Sequence, residues 1–287
     1  MPLKPADSMP VDTGRRLSAG LWVAAGVEIA VAVAVAALIL HADHAMPAPD
    51  MHPSRSAEAI WHIGISIFVG FSAVTLAWWL ATRARVSAML AAAGLAGLAT
   101  SETVRTMAVQ SHLVGMAALE VLLVAVPLLL VAAFGTAVPT TGFTHSRVWT
   151  VGVIITVILN SVLLIVLHLP SVHGEGAYLG IVPLWLAAVV VVIGLSYWTA
   201  ILITAGRVLP GLRRGALIVG QEVAAILGLA ALLGPSPNMQ HINPLGLSAT
   251  LDQRLGGLLM LIACAAVTLP LAKRREQQQL RMECNVH

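Results

Sequence analysis

The chain has 287 residues, of which 58% are hydrophobic and only 10% are charged, and its formal net charge is +3. A soluble globular domain carries roughly 25% charged residues, so this chain has too few charges to cover a water-facing surface. The mean hydropathy of +0.89 points the same way. Composition therefore excludes a soluble domain and predicts a protein that lies mostly within a membrane.

Apolar runs of about 17 to 25 residues are the unit that spans a bilayer as a helix. In chain order the runs are Leu17–Leu40, Ile60–Thr82, Val86–Ser101, Leu113–Phe134, Val148–Leu167, Ala177–Ile203, Ala216–Gly234 and Leu255–Leu271. They are continuous, whereas a transmembrane barrel would show segments of about ten alternating residues. The sequence therefore predicts an all-α, polytopic transmembrane helix bundle with about eight spans.

The basic residues predict how these spans are threaded. Eight spans put both termini on one side, and 13 of the 16 Lys and Arg residues fall on that side. The other side receives only Arg55, Arg105 and Arg254. Because cytoplasmic loops are enriched in Lys and Arg, we expect an N-in, C-in protein of a bacterial inner (plasma) membrane. The basic excess follows the loops instead of forming one patch, so no nucleic-acid partner is expected.

This threading divides the chain into three parts. Residues 1–16 form a polar, proline-containing segment that we expect to be a disordered cytoplasmic N-terminus. Residues 17–272 form the transmembrane bundle, and residues 273–287 form a basic, glutamine-rich cytoplasmic tail that we expect to be a frayed helix end.

Histidine and methionine are concentrated on the predicted outer side. The stretch HADHAMPAPDMH follows the first span and contains His41, His44, Met46, Met51 and His52. Imidazole nitrogen and thioether sulfur are soft ligands that suit Cu(I). The loop is therefore a candidate copper-capture segment. The alternative is a proline-broken connection whose histidines are only solvated.

The fourth span contains a second candidate. His112, Met116 and Glu120 are spaced i, i+4, i+8 and so line one stripe of a helix, from the outer end to the middle of the span. His112 and Met116 are candidate metal ligands, with His62 and His168 as further ligands from neighbouring spans. The alternative is that Met116 is packing and His112 is an interfacial polar residue.

Ionisable and polar residues also occur inside other spans. Glu28, Glu222, Asn160 and Ser161 lie within predicted helices and could form a polar core with Glu120, either as a proton path or as hydrogen bonds between helices. At an outer loop, the i, i+3 spacing of Glu102 and Arg105 predicts an ion pair.

Four segments resemble the CtaG-type cytochrome c oxidase assembly proteins, which are polytopic membrane proteins implicated in copper delivery. They are SHLVGMAALEVLLVAVPLLL, HLP at 168–170, WLAAVVVVIGLSYWTAILI and LDQRLGGLLML. The family has a histidine pair one turn apart, and here His112 matches the first position while Met116 occupies the second. The other matching positions are His168, Pro170, Asp252, Gln253, Gly257 and Met260.

The resemblance and the ligand chemistry together favour a non-enzymatic copper-binding protein that assists assembly of a respiratory cytochrome c oxidase or another cuproprotein. Its cofactor would be copper, with Cu(I) favoured, and its partners would be that oxidase or cuproprotein and the membrane lipid. One alternative is a haem b-binding or accessory subunit of an electron-transfer complex. The other is a proton-coupled transporter that uses Glu28, Glu120 and Glu222.

Overall fold

The computed structural model describes residues 55–134, 147–168, 181–204, 207–234 and 245–284, with side chains described between residues 66 and 266 of those ranges. This part of the chain is helical and contains no strand, as predicted. The helices are α1 (Arg55–Thr82), α2 (Arg85–Ala99), α3 (Glu102–Gln110), α4 (His112–Glu120), α5 (Val126–Phe134), α6 (Arg147–Leu167), α7 (Leu184–Leu202), α8 (Pro210–Leu233) and α9 (Ala249–Cys284). A π-helical turn, Val121–Ala125, joins α4 to α5.

Five of the described helical segments are long and apolar enough to cross a membrane: His112–Phe134, Arg147–Leu167, Leu184–Leu202, Pro210–Leu233 and Ala249–Ala266. Two shorter apolar helices, Ser66–Thr82 and Arg85–Ala99, match the second and third predicted spans. The first predicted span, Leu17–Leu40, lies outside the described residues.

The helix formed by α4, the π-helical turn and α5 is the centre of the bundle. In its most apolar window, 78% of the residues are buried, against 22% in α6. The outward surface of α6 carries large aliphatic side chains, including Val148 at 77% exposure and Ile158 at 54%. Exposed apolar surface of this extent is unfavourable in water and suits contact with lipid chains.

The π-helical turn has a local cause in the sequence. Pro127 has no backbone N–H, so it cannot donate to the Leu123 carbonyl four residues earlier, and its ring crowds that carbonyl. The Val126 N–H pairs with the carbonyl of Val121 instead, five residues back. The freed Leu123 carbonyl accepts a hydrogen bond from the Trp198 indole of α7 at 3.2 Å. The central helix therefore depends on α7 to satisfy its own backbone.

Contacts between distant residues define the two ends of the bundle. We call the end that contains Arg105, His112, His168 and Asp252 the histidine end, because these residues contact one another or the loops beside them. At the opposite end, the Arg207 guanidinium lies over the Trp149 ring at 5.0 Å. The arginines of that end, Arg83, Arg85, Arg147, Arg207 and Arg213, are among those assigned to one side from the sequence.

Several helices do not match the predicted boundaries. Helix α1 starts at Arg55, five residues before the predicted Ile60, and α3 is a helix where an outer loop was predicted. The sixth span was predicted from Ala177, whereas α7 begins at Leu184 after Pro183, an extended residue that starts the helix. The seventh was predicted from Ala216, but α8 begins six residues earlier at Pro210. The helix predicted from Leu255 to Leu271 is also longer: α9 has 36 residues. At 1.5 Å per residue α9 is about 54 Å long, more than the roughly 30 Å of a hydrocarbon core. It therefore continues as a helix into the predicted tail as far as residue 284, in line with a tail that the sequence predicts to be a helix end.

The predicted ion pair between Glu102 and Arg105 is wrong. Arg105 donates from Nη1 to the Val182 carbonyl at 2.9 Å, and its own carbonyl accepts from the Val182 N–H at 3.3 Å. Glu102 is exposed. This reciprocal pair ties α3 to the segment before α7, a long-range contact that an i, i+3 rule cannot predict.

Candidate functional site

Asp252 fixes the start of the central helix at the histidine end. Its carboxylate is buried at 5% exposure. It accepts hydrogen bonds from the Ser111 hydroxyl at 2.7 Å, the His112 N–H at 2.6 Å and the Leu113 N–H at 3.4 Å. The Ser111 hydroxyl in turn accepts from the Val114 N–H at 3.3 Å. The N–H groups that a helix start leaves unpaired are thus satisfied, and the negative charge lies at the positive end of the helix dipole.

Two predicted ligands meet beside this anchor. The rings of His112 on α4 and His168 after α6 have their centroids 6.3 Å apart and are inclined by 81°. A metal ion bound to two imidazoles through bonds of about 2 Å keeps the centroids about 5 to 6.5 Å apart. At 6.3 Å the separation suits two ligands only on nearly opposite sides of one ion, and it also suits edge-to-face ring packing.

The tautomer of His168 leaves one nitrogen available. Its Nδ1 lies 2.7 Å from the Leu164 carbonyl, which can only accept, so Nδ1 carries the proton and Nε2 carries the lone pair. Burial lowers the pKa of His168, partly opposed by the hydrogen bond to Leu164, which favours the neutral ring. Nε2 is buried and has no hydrogen-bond partner among the described residues. A hydrogen bond of this kind orients many metal-binding histidines.

Met116 lies next to His112 because Gly256 leaves room for both. A Cβ atom on Gly256 would lie 2.6 Å from Cδ2 of His112, 3.3 Å from its Nε2 and 3.3 Å from Cγ of Met116. The two side chains therefore contact the same point on α9. Met116 is almost fully buried, at 2% exposure. Its thioether is accordingly part of the packed core and also close to the imidazole that was predicted to share a metal ion with it.

A cavity of about 100 Å³ borders this cluster. Met116 and Leu167 form part of its wall, and Arg105 is the one charged residue among those that line it. The rest of the lining is aliphatic. The histidine end therefore combines two imidazoles, one thioether and a mostly apolar cavity.

The structure does not describe the side chains of the remaining predicted ligands. His62 belongs to α1, but it lies in the part of that helix whose side chains are not described. The loop ligands His41, His44, Met46, Met51 and His52 lie outside the described residues. Where side chains are described, no three His, Cys, Asp or Glu groups converge on one point. The histidine pair therefore needs the Met116 sulfur to reach three donors.

A second polar cluster lies deeper in the bundle. Glu120 and Asn160, both buried at 8% and 4% exposure, line a small cavity, as expected for a shared polar core. Glu222 does not join them, because its side chain is exposed on α8. The prediction of one core that includes Glu222 is therefore wrong, and Glu28 lies outside the described residues.

Several residues that shape these clusters were not assigned a role from the sequence. Asp252 was noted only as part of a short motif, although an acidic residue near the start of an apolar helix is a signal for a buried acceptor. Gly256 and Trp198 gave no local signal, since their roles depend on which helices are neighbours. The proline at 127 could have indicated the π-helical turn.

Comparisons of the chain with protein-family models, with curated proteins and with solved structures find no match.

Proposed function

We propose that this chain is a multi-pass membrane protein that binds Cu(I) at its histidine end and passes the ion to a cuproprotein such as a respiratory oxidase. The observation that carries the proposal is the buried Nε2 of His168, which faces no hydrogen-bond partner in the described part of the chain. The His112 ring lies beside it. An imidazole pair with a thioether is a soft donor set of the kind that selects Cu(I).

Copper is the cargo of the proposed site, and the residues suit transfer. Met116 and the two histidines give three donors, so a fourth position stays open for a ligand from the partner. Asp252 holds the backbone of His112, which keeps the imidazole in place when the ion leaves. We also propose that the chain is a divergent relative of the CtaG-type assembly proteins, with Met116 at the second histidine position.

The haem alternative is less well supported by the geometry. A bis-histidine haem needs the macrocycle between the two rings, in a pocket of about 300 Å³ or more. The cavity that borders Met116 is about 100 Å³ and neither histidine lines it, and Gly256 is packed against His112. The transporter alternative required Glu222 in the interior, and that side chain is exposed.

We further propose eight spans, with both termini in the cytoplasm of a bacterial inner membrane and the histidine end outside. Reporter fusions after Arg85, Gly135 and Arg214 should report a cytoplasmic location, because the basic residues concentrate at that end. Fusions between Arg105 and Ser111 should report the outer side. A periplasmic signal after any of the first three positions would contradict the threading.

The metal site is tested by Cu(I) competition with a chromophoric chelator. The background is the full-length protein in detergent with His41, His44, Met46, Met51 and His52 replaced, so that only the bundle is measured. This background should bind one Cu(I) per chain. Loss of a ligand in His168→Leu, His112→Leu or Met116→Leu should weaken binding at least about tenfold, on the scale at which metal sites respond to changes in their shells.

Met260→Leu is the matched control, because Met260 is a fully buried methionine on α9 and the substitution makes the same change in volume. It should leave Cu(I) affinity unchanged. A Soret band in the purified protein would favour haem. Equal Cu(I) affinity in the background and in all three ligand variants would show that the ring contact is packing alone.

Comparing the wild-type protein with the variant that lacks the five loop ligands tests the separate role of the loop. If the 41–52 loop captures copper, protein that lacks its five ligands should load more slowly at limiting copper and be expressed equally well. Unchanged loading would reduce the loop to a solvated connection.

A further inference from the structure

A polar cavity lies in the interior of the bundle, one turn deeper than Met116. Its volume is about 30 Å³, which exceeds the 10–15 Å³ or so that one water molecule requires. Five helices contribute polar side chains to its lining: Glu120 from α4, Asn160 from α6, Tyr197 from α7, Gln221 from α8 and Cys264 from α9. Such convergence at the depth of a bilayer interior is costly unless the polar groups are satisfied.

The hydrogen bonds of this cavity leave Glu120 and Asn160 facing it. Tyr197 donates its hydroxyl to the Ala216 carbonyl at 3.4 Å, and the Cys264 thiol donates to the Gln221 carbonyl at 3.6 Å. Oδ1 of Asn160 is buried without a partner among the described residues. No Lys or Arg in the described part of the chain forms an ion pair with Glu120. The residues that line the cavity include no Lys or Arg.

A carboxylate buried in this way must be neutralised. An isolated charge in an apolar interior costs many kcal/mol, and a protein relieves that cost with a counter-ion or with a proton. Hard metal cations take about six oxygen ligands. The carboxylate and amide side chains here supply fewer: the two oxygens of Glu120 and one each from Asn160 and Gln221. A proton needs only one acceptor for its hydrogen bond, which the unpaired Oδ1 of Asn160 or a water molecule provides.

We propose that Glu120 is a proton-binding site inside the membrane, and that its proton exchanges through water held in the cavity shared with Asn160. The site is separate from the Cu(I) donors, and it stands whether or not the histidine end binds metal. Tyr197 and Cys264 are the other titratable groups that line the cavity, and each is engaged by a backbone carbonyl. Glu120 is therefore the group on which the proton resides.

Infrared difference spectroscopy of the full-length protein in lipid bilayers tests this assignment. A stretching band of a protonated carboxyl group in an apolar site should be present at neutral pH. Glu120→Gln should remove it. Glu28 and Glu222 lie within other predicted spans and would contribute bands of their own, so every protein compared carries Glu28→Gln and Glu222→Gln. The matched control is Glu102→Gln, which changes an exposed glutamate of α3 and should leave the band in place. A band that survives in Glu120→Gln, or that is absent from the wild type, overturns the proposal.

Two further measurements keep the test decisive if Glu120→Gln folds poorly. Asn160→Leu replaces the amide by an apolar group of similar shape. It should move the band to higher frequency, because the carboxyl group loses its hydrogen-bond acceptor. Transfer to D2O should lower the band frequency within minutes, and a band that stays fixed contradicts exchange through cavity water. Loss of the band on adding NaCl, but not choline chloride, would identify Na⁺ instead of a proton as the occupant.

Discussion

Replacing Asp252 by alanine should lower the free energy of unfolding by about 3 kcal/mol, because three donors at the start of the central helix lose one buried acceptor. The Ser111 hydroxyl and the N–H groups of His112 and Leu113 would all face an apolar environment. The charge that complements the helix dipole would also disappear. Unfolding of the purified protein by heat or by SDS in mixed micelles measures the change.

Asp252→Asn separates geometry from charge in the same experiment. It keeps one oxygen acceptor but turns an amide group toward a backbone donor, so we expect a loss of about 2 kcal/mol. Arg254→Ala is the control, since Arg254 is exposed two residues away on the same helix and should change stability by less than about 0.5 kcal/mol. Equal stability of Asp252→Ala and the parent would show that water replaces the carboxylate at the helix start.

The anchoring role of Asp252 has a consequence for metal binding. The His112 ring is placed by a backbone that Asp252 holds and by contact with Gly256. A shift of the helix start would therefore move the imidazole relative to His168. Cu(I) affinity in Asp252→Asn should fall even though no ligand has been removed, and this links the stability of the bundle to its proposed function.

The positions of the helices could be predicted from the sequence because each apolar run reports on itself. Hydrophobic length identifies a span without knowledge of its neighbours, and α2, α6 and the helix from His112 to Phe134 begin and end within a residue or two of prediction. The start of α7 was predicted too early because Val182 and Pro183 are apolar yet precede the helix. Hydropathy measures polarity, and it does not register the backbone preference of proline.

The candidate site could be predicted only in part. The stripe of His112, Met116 and Glu120 follows from helical periodicity, and all three do lie on α4. That His168 supplies the neighbouring ring, and that Asp252 lies beneath His112, depends on which helices pack together. A single sequence contains no direct record of contacts between residues 56 or 140 positions apart. Arg105 shows the same limit, because its partner is 77 residues away.

The π-helical turn lies beside the second polar cluster. It begins directly after Glu120, and its residues Leu123 and Val124 line the same cavity as Glu120. Such turns are frequent at functional sites, and this one is supported by α7. Gly194 and Trp198 are one turn apart on α7 and both face Leu123. The glycine permits the close approach that lets the indole reach the freed carbonyl.

Gly194→Ala should therefore destabilise the protein by about 2 kcal/mol, although alanine favours a helix by about 1 kcal/mol relative to glycine. The added Cβ would meet the Leu123 carbonyl oxygen and lie 3.0 Å from the carbonyl carbon and Cα of Leu123. Backbone atoms of a buried helix cannot move aside at low cost. The close approach outweighs helix propensity, and unfolding in mixed micelles should give a sign opposite to that expected from propensity alone.

Gly152→Ala is the matched control, because a Cβ on Gly152 of α6 has no other atom within 4 Å. It should leave stability unchanged or raise it by up to about 1 kcal/mol. Trp198→Phe tests the other half of the contact, since it removes the donor to Leu123 while keeping an aromatic ring, and should cost about 1–3 kcal/mol through an unpaired buried carbonyl. If Gly194→Ala is as stable as Gly152→Ala, α7 can withdraw from the π-helical turn, and Trp198 is not needed to satisfy it.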